Sequence, residues 1–245
     1  MKNPFLNTQR VEKFRALLAQ ATDPVDIAQT QWQYASELVK SGHVQEAIMQ
    51  FKKLEEYLKE GPVKSDSKTQ SFLRISLAIA HLRAAGKQNQ EFGYNLDSVL
   101  LPIRSSGVYR NQEASRAAMA VLTEQLTRFR SDLAARWLLN LAYMTVGEYP
   151  GKVPPQWLIE PKVFDSDYDV KRFADVAPAL GLDIDGLAGS SITEDFDGDG
   201  GLDIMVSAWG LRDQLRYFRN NADGTFTERT QEAGLLGEVG GLNLI

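Results

Sequence analysis

A change of hydrophobic period constrains this sequence more than any other feature. From about Gln9 to Gly147 apolar residues recur at helical spacing. Beyond Pro150, Pro154, Pro155 and Pro161 they fall into short runs divided by Gly/Asp turns: "SSITE", "LDIMVSAW", "LRYFRNN" and "TFTERT". A stripe of period 3.6 and an alternation of period 2 cannot belong to one element type, so two differently built parts are expected. The reading is an α+β chain. Residues 1–149 form helical hairpins, 150–172 a proline-rich linker, and 173–245 antiparallel β-hairpins.

Within the helical part, "VEKFRALLAQA" places Val11, Phe14, Leu17 and Leu18 at helical spacing. The stretch from Thr30 to Glu60 reads as two helices meeting at Ser41-Gly42, the first burying Tyr34, Ala35 and Leu38, the second Ala47, Ile48, Phe51 and Leu54. Small residues at Ala35 and Ala47 permit close helix approach, and Gly42 suits a left-handed cap. This resembles a tetratricopeptide repeat. Gly86 and Gly147 are read as further breaks, and the helix expected after Gly147 is cut off by prolines. The three glycines stand 44 and 61 residues apart, so the hairpins are degenerate rather than a regular array.

Charge divides the chain at the same place. Residues 1–150 hold 19 Lys+Arg against 15 Asp+Glu, whereas residues 151–245 hold 8 against 17, of which 12 are Asp. An acidic region without clustered Lys and Arg argues against a nucleic-acid partner. No run of about 18 apolar residues supports membrane insertion. With no cysteine and only His43 and His81, thiolate sites, disulfides and multi-histidine metal sites are ruled out as readings.

The acid concentrates in "EDFDGDGGLD", Glu194 to Asp203. Counting from Asp195, carboxylates occupy positions 1, 3, 5 and 9, Gly200 position 6, and Gly201 offers a backbone carbonyl at position 7. Alternating Asp residues in a tight turn gather hard oxygens around one ion, a donor set that suits Ca²⁺ better than Mg²⁺. An EF-hand would need Glu at position 12, which is Val206 here, and the flanks read as strands. In the following strand Ile204, Val206 and Trp209 are expected to be buried. The other acidic pairs, in "DSDYD" (Asp165 to Asp169) and "LDIDG", are read as solvated turns. Both histidines are read as structural or solvent-facing, and the four tryptophans, Trp32, Trp137, Trp157 and Trp209, as packing residues. Arg212, Arg216 and Arg219 are read as partners for the acidic surroundings.

A strand, a D-x-D-x-D-G-x-x-D loop and a second strand resemble the calcium loop of FG-GAP/VCBS repeats, the blades of integrin-type β-propellers. "LRYFRNNADGTFTERTQEAGL" resembles the outer hairpin of such a blade, with Asp223-Gly224 at its turn. "GEVGGLNLI" resembles the first strand of a next repeat, so the reading expects further blades beyond Ile245. Helices followed by such blades are similar to bacterial proteins of the cartilage acidic protein (ASPIC/UnbV) kind. The resemblance implies Ca²⁺ held by Asp195, Asp197, Asp199, Asp203 and the carbonyl of Gly201.

The function expected is therefore that of a non-enzymatic, calcium-stabilised interaction module for a protein or glycan partner. An extracellular, cell-surface or periplasmic location is expected, because extracellular loops of this ligand type often bind Ca²⁺ only at about 10⁻⁴–10⁻³ M. No signal peptide is visible at the N-terminus. Two other readings stand beside it: the N-terminal part of a secreted enzyme, such as a polysaccharide hydrolase, and a cytosolic helical scaffold with an acidic turn that holds no ion.

Overall fold

The computed structural model describes residues 6–90, 96–168, 173–184 and 186–241. It divides into two compact units, Met1–Asp167 and Tyr168–Ile245. Helices occupy the first and a four-stranded antiparallel sheet the second, so the chain is α+β.

The first unit contains α1 (Asn7–Gln20), α2 (Pro24–Lys40), α3 (Val44–Glu60), α4 (Ser67–Gln90), the single turn α5 (Leu96–Val99), α6 (Glu113–Arg128) and α7 (Leu133–Thr145). Local chemistry sets several of the ends. Pro24 opens α2 at a position that needs no N–H, and the Asp23 carboxylate accepts from Val25 N and Asp26 N. Asp132 accepts from Ala135 N at the start of α7. Gly42, at φ +80°, closes α2: its N–H donates to Val39 O and that of His43 to Leu38 O. Gly147, at φ +71°, closes α7 by the same pattern through Met144 O and Tyr143 O.

Each of α1 to α3 packs on the next, and then α4 on α6 and α6 on α7. Tyr34, Ala35, Leu38, Ala47, Ile48, Phe51 and Leu54 are all buried, as their spacing requires. Leu17 is the exception in α1, exposed on the outer face. Gly86 interrupts nothing, since α4 runs through it to Gln90. Fully buried Ala84 and Ala85 beside it gain more from packing than the roughly 1 kcal/mol a helical glycine loses. Nor does α7 wait for a later partner, because it packs on α6, which precedes it.

The proline-rich stretch is packed rather than extended as a free linker. Val153 and Trp157 are buried. Asn140, on α7, donates from Nδ2 to Trp157 O at 2.8 Å and accepts from Ile159 N at 3.0 Å. Tyr149 Oη donates to Ile159 O at 2.6 Å. The division between units accordingly falls at Asp167 and Tyr168, close to the end of the segment read as linker. Of the four tryptophans only Trp157 is buried; Trp137 and Trp209 keep about two-fifths of their surface.

In the second unit β1 (Ala188–Glu194), β2 (Asp203–Ala208), β3 (Arg216–Asn220) and β4 (Phe226–Glu228) pair in sequence order, each antiparallel to the next. Gly224, at φ +87°, lies in the β3–β4 turn. Burial in β2 departs from the apolar pattern. Its buried residues are Asp203 and Ser207, while Ile204 and Val206 are half-buried. The polar pair is turned inward because each has partners there. Ser207 Oγ accepts from Ser190 N and donates to Gly241 O, both at 3.0 Å. Asp169, Asp185 and the Leu242–Ile245 end of the expected next repeat lie outside the described residues. Among the described residues no helix is long and apolar enough to cross a membrane.

Candidate metal centre

The acidic loop connects β1 to β2 at the end of the pair where Glu194 faces Asp203. Asp195 organises the turn. Its Oδ1 accepts from Gly198 N at 2.8 Å and Asp199 N at 3.1 Å, and its Oδ2 from Gly200 N at 3.0 Å. Those bonds curl the chain over the carboxylate, and Gly198 and Gly200 absorb the curvature at φ +78° and +87°. Asp197 Oδ1 in turn accepts from Asp199 N at 3.1 Å.

Asp203 closes the site from the sheet side and is wholly buried. A buried carboxylate is stable only where donors replace its lost hydration. Here Oδ1 accepts from Asn220 N at 2.8 Å, and Oδ2 from the Tyr217 hydroxyl at 2.7 Å and Phe196 N at 3.3 Å. Burial, and then the bond to Asp203, push the Tyr217 phenol well above its usual range, so it remains a donor. The Phe196 ring stacks edge-on against Tyr217 at 5.8 Å and flanks the same corner.

Asp195, Asp197 and Asp203 each present one carboxylate oxygen within 4.8 Å of the others. Two oxygens bound to one Ca²⁺ at 2.3–2.6 Å stand at most about 5 Å apart, so this spacing fits a common ion. Asp199 is turned differently. Its Oδ1 accepts from Gly201 N at 2.8 Å and its Oδ2 from Arg219 Nη2 at 2.6 Å. The Gly201 N–H, and then the Arg219 guanidinium, hold the Asp199 carboxyl below its ordinary pKa. Arg219 also donates from Nε to Asp197 Oδ2 at 2.5 Å, so one guanidinium clasps two of the five residues expected to bind the ion.

Sequence spacing thus brought Asp195, Asp197 and Asp203 together, and it named Arg219 only as a partner for acidic surroundings. Arg216 pairs instead with Glu228 across the sheet. The roles of Tyr217 and Asn220 went unread. Tyr217 leaves a signal, an aromatic hydroxyl on the strand that faces β2, whereas Asn220 acts through its backbone N–H, which no residue type marks. Comparison of the chain with protein-family models, with curated proteins and with solved structures gave no match.

Proposed function

We propose that residues 173–245 are a Ca²⁺-binding, FG-GAP/VCBS-like blade in a non-enzymatic interaction module, with tetratricopeptide-like helices before it. Asp195, Asp197 and Asp203 would hold the ion, joined by Asp199 and the Gly201 carbonyl. The ion's chemistry would be electrostatic, drawing a loop of like charges onto the sheet edge. The chain's own residues do the positioning: Asp195 shapes the turn, Asp203 anchors it to β3, and Tyr217 and Phe196 cover it. The partner is a protein or glycan, bound outside the cytoplasm, where Ca²⁺ is abundant enough to fill such a loop. Support comes chiefly from the convergence of three carboxylate oxygens within 4.8 Å, in a loop where four carboxylates would otherwise repel one another.

The clasp of Arg219 on Asp197 and Asp199 favours a second reading, in which the guanidinium itself neutralises the loop and no metal is needed. Thermal unfolding with Ca²⁺ titrated against a chelator separates the two. A saturable rise in melting temperature, absent in Asp197→Ala and not reproduced by Mg²⁺, is the expected result. A flat response in a folded chain would favour the cation-free loop.

A further inference from the structure

Four Asp-Gly pairs occur in the chain: Asp185-Gly186, Asp197-Gly198, Asp199-Gly200 and Asp223-Gly224. Such a pair cyclises when the glycine nitrogen attacks the aspartyl Cγ, since no Cβ on the second residue hinders the approach. The attack needs an amide not held by an acceptor, and a carboxyl oxygen free to take a proton and leave as water. Asp185 lies outside the described residues, and the other three pairs can be compared.

In the acidic loop neither condition is met. Gly198 N and Gly200 N donate to the two oxygens of Asp195, at 2.8 and 3.0 Å. Arg219 holds Oδ2 of both Asp197 and Asp199, and their Oδ1 atoms accept from Asp199 N and Gly201 N. In the β3–β4 turn both conditions are met. Gly224 is exposed, and its N–H has no acceptor among the described residues. A Cβ built on it would meet nothing within 4 Å, so the turn is open on that side. Asp223 Oδ1 accepts from Thr225 N at 2.9 Å and Thr225 Oγ1 at 2.6 Å, while Oδ2 has no partner among the described residues. The Thr225 hydroxyl, and then its N–H, hold the Asp223 carboxyl below its ordinary pKa, so cyclisation draws on a small protonated fraction and quickens as pH falls.

We propose that Asp223-Gly224 is a covalent ageing site, at which this chain forms isoaspartate. A bond forms from Gly224 N to Asp223 Cγ as the Cγ–Oδ2 bond breaks. Oδ2 leaves as water with its own proton and the amide proton, and a cyclic imide remains. Solvent water then adds to one of the ring carbonyls. Opening at Cγ restores aspartate, whereas opening at the α-carbonyl leaves Gly224 N on Cγ and frees an α-carboxylate. The main chain then runs through Cβ, which lengthens the turn that brings Asn220 opposite Phe226.

The full 245-residue chain, held for weeks in mildly acidic buffer with a chelator, is digested and its isoaspartyl peptides are quantified by electron-transfer fragmentation. The chelator keeps the outcome independent of Ca²⁺. Isoaspartate at Asp223 should exceed that at Asp197 or Asp199 by about tenfold or more, the factor by which one bond to a charged acceptor suppresses the free amide. In guanidinium chloride those bonds are lost and the three sites should react alike. No isoaspartate at Asp223, equal yields at the three sites in the folded chain, or a preference for Asp223 that survives in guanidinium chloride would overturn the proposal.

Discussion

The Tyr217 hydroxyl donates to Asp203 Oδ2 at 2.7 Å, joining β3 to the carboxylate that opens β2. Removing it leaves Oδ2 with only the long bond from Phe196 N. Tyr217→Phe is therefore expected to destabilise the β unit by about 1–3 kcal/mol, the usual cost of an unfilled buried acceptor. Urea unfolding followed by near-ultraviolet circular dichroism measures it, with the helical signal at 222 nm as an internal reference. A change below the error of that measurement would show that Asp203 is held by the backbone donors alone.

Arg219 and a cation would compete for the same carboxylates. Arg219→Gln removes the intramolecular competitor, so Ca²⁺ should bind several times more tightly, as read by calorimetric titration. Without Ca²⁺ the same variant should be less stable, because Asp197 and Asp199 lose their shared counter-charge. If the variant binds Ca²⁺ no better than the unaltered chain, Arg219 does not occupy the ion's place.

The His81 pKa is lowered from 6.5 to about 4, by burial first and then by the positive charge of Lys52. As pH falls through 6.5 the unfolded chain takes up this proton and the folded chain does not. Stability of the helical unit should consequently be level above pH 6.5 and decline down to about pH 4. The loss over that window is about 3 kcal/mol from this one residue. His81→Leu should flatten that part of the pH profile; an unchanged profile would assign the decline to other groups.

Asn140 holds the proline-rich segment at two backbone points, Trp157 O and Ile159 N. Asn140→Leu leaves Ile159 N unfilled and Trp157 O with only the bond from Arg136 Nε at 3.2 Å, with an expected loss of about 1–3 kcal/mol. Limited proteolysis should then cut between residues 150 and 165, where the unaltered chain resists. Equal resistance in the variant would mean that burial of Trp157 suffices.

How much of this was legible depended on whether a residue's role is local. Tyr34, Ala35, Leu38 and Phe51 could be placed because helical spacing alone brings them to one face. Gly42 was readable as a cap and Gly147 as a helix break because glycine alone adopts a positive φ without strain, and both close a helix that way. Gly86 misled, since the packing of its neighbours decides whether a helix continues. The burial of Asp203 and Ser207 was invisible for a related reason: their partners lie on β3, β1 and the strand-like segment near Gly241, far away in sequence. The proline-rich stretch looked like a linker because composition records where helices stop, not what the chain then packs against.

The amide of Asn220 points at Asp203 Oδ1, so this one proton sits between the acidic loop and the turn that leads into β4. Any ion drawing charge from Asp203 weakens the pull on that amide. Its chemical shift becomes a built-in gauge of loop occupancy, readable without a label on the metal and without waiting for the chain to unfold.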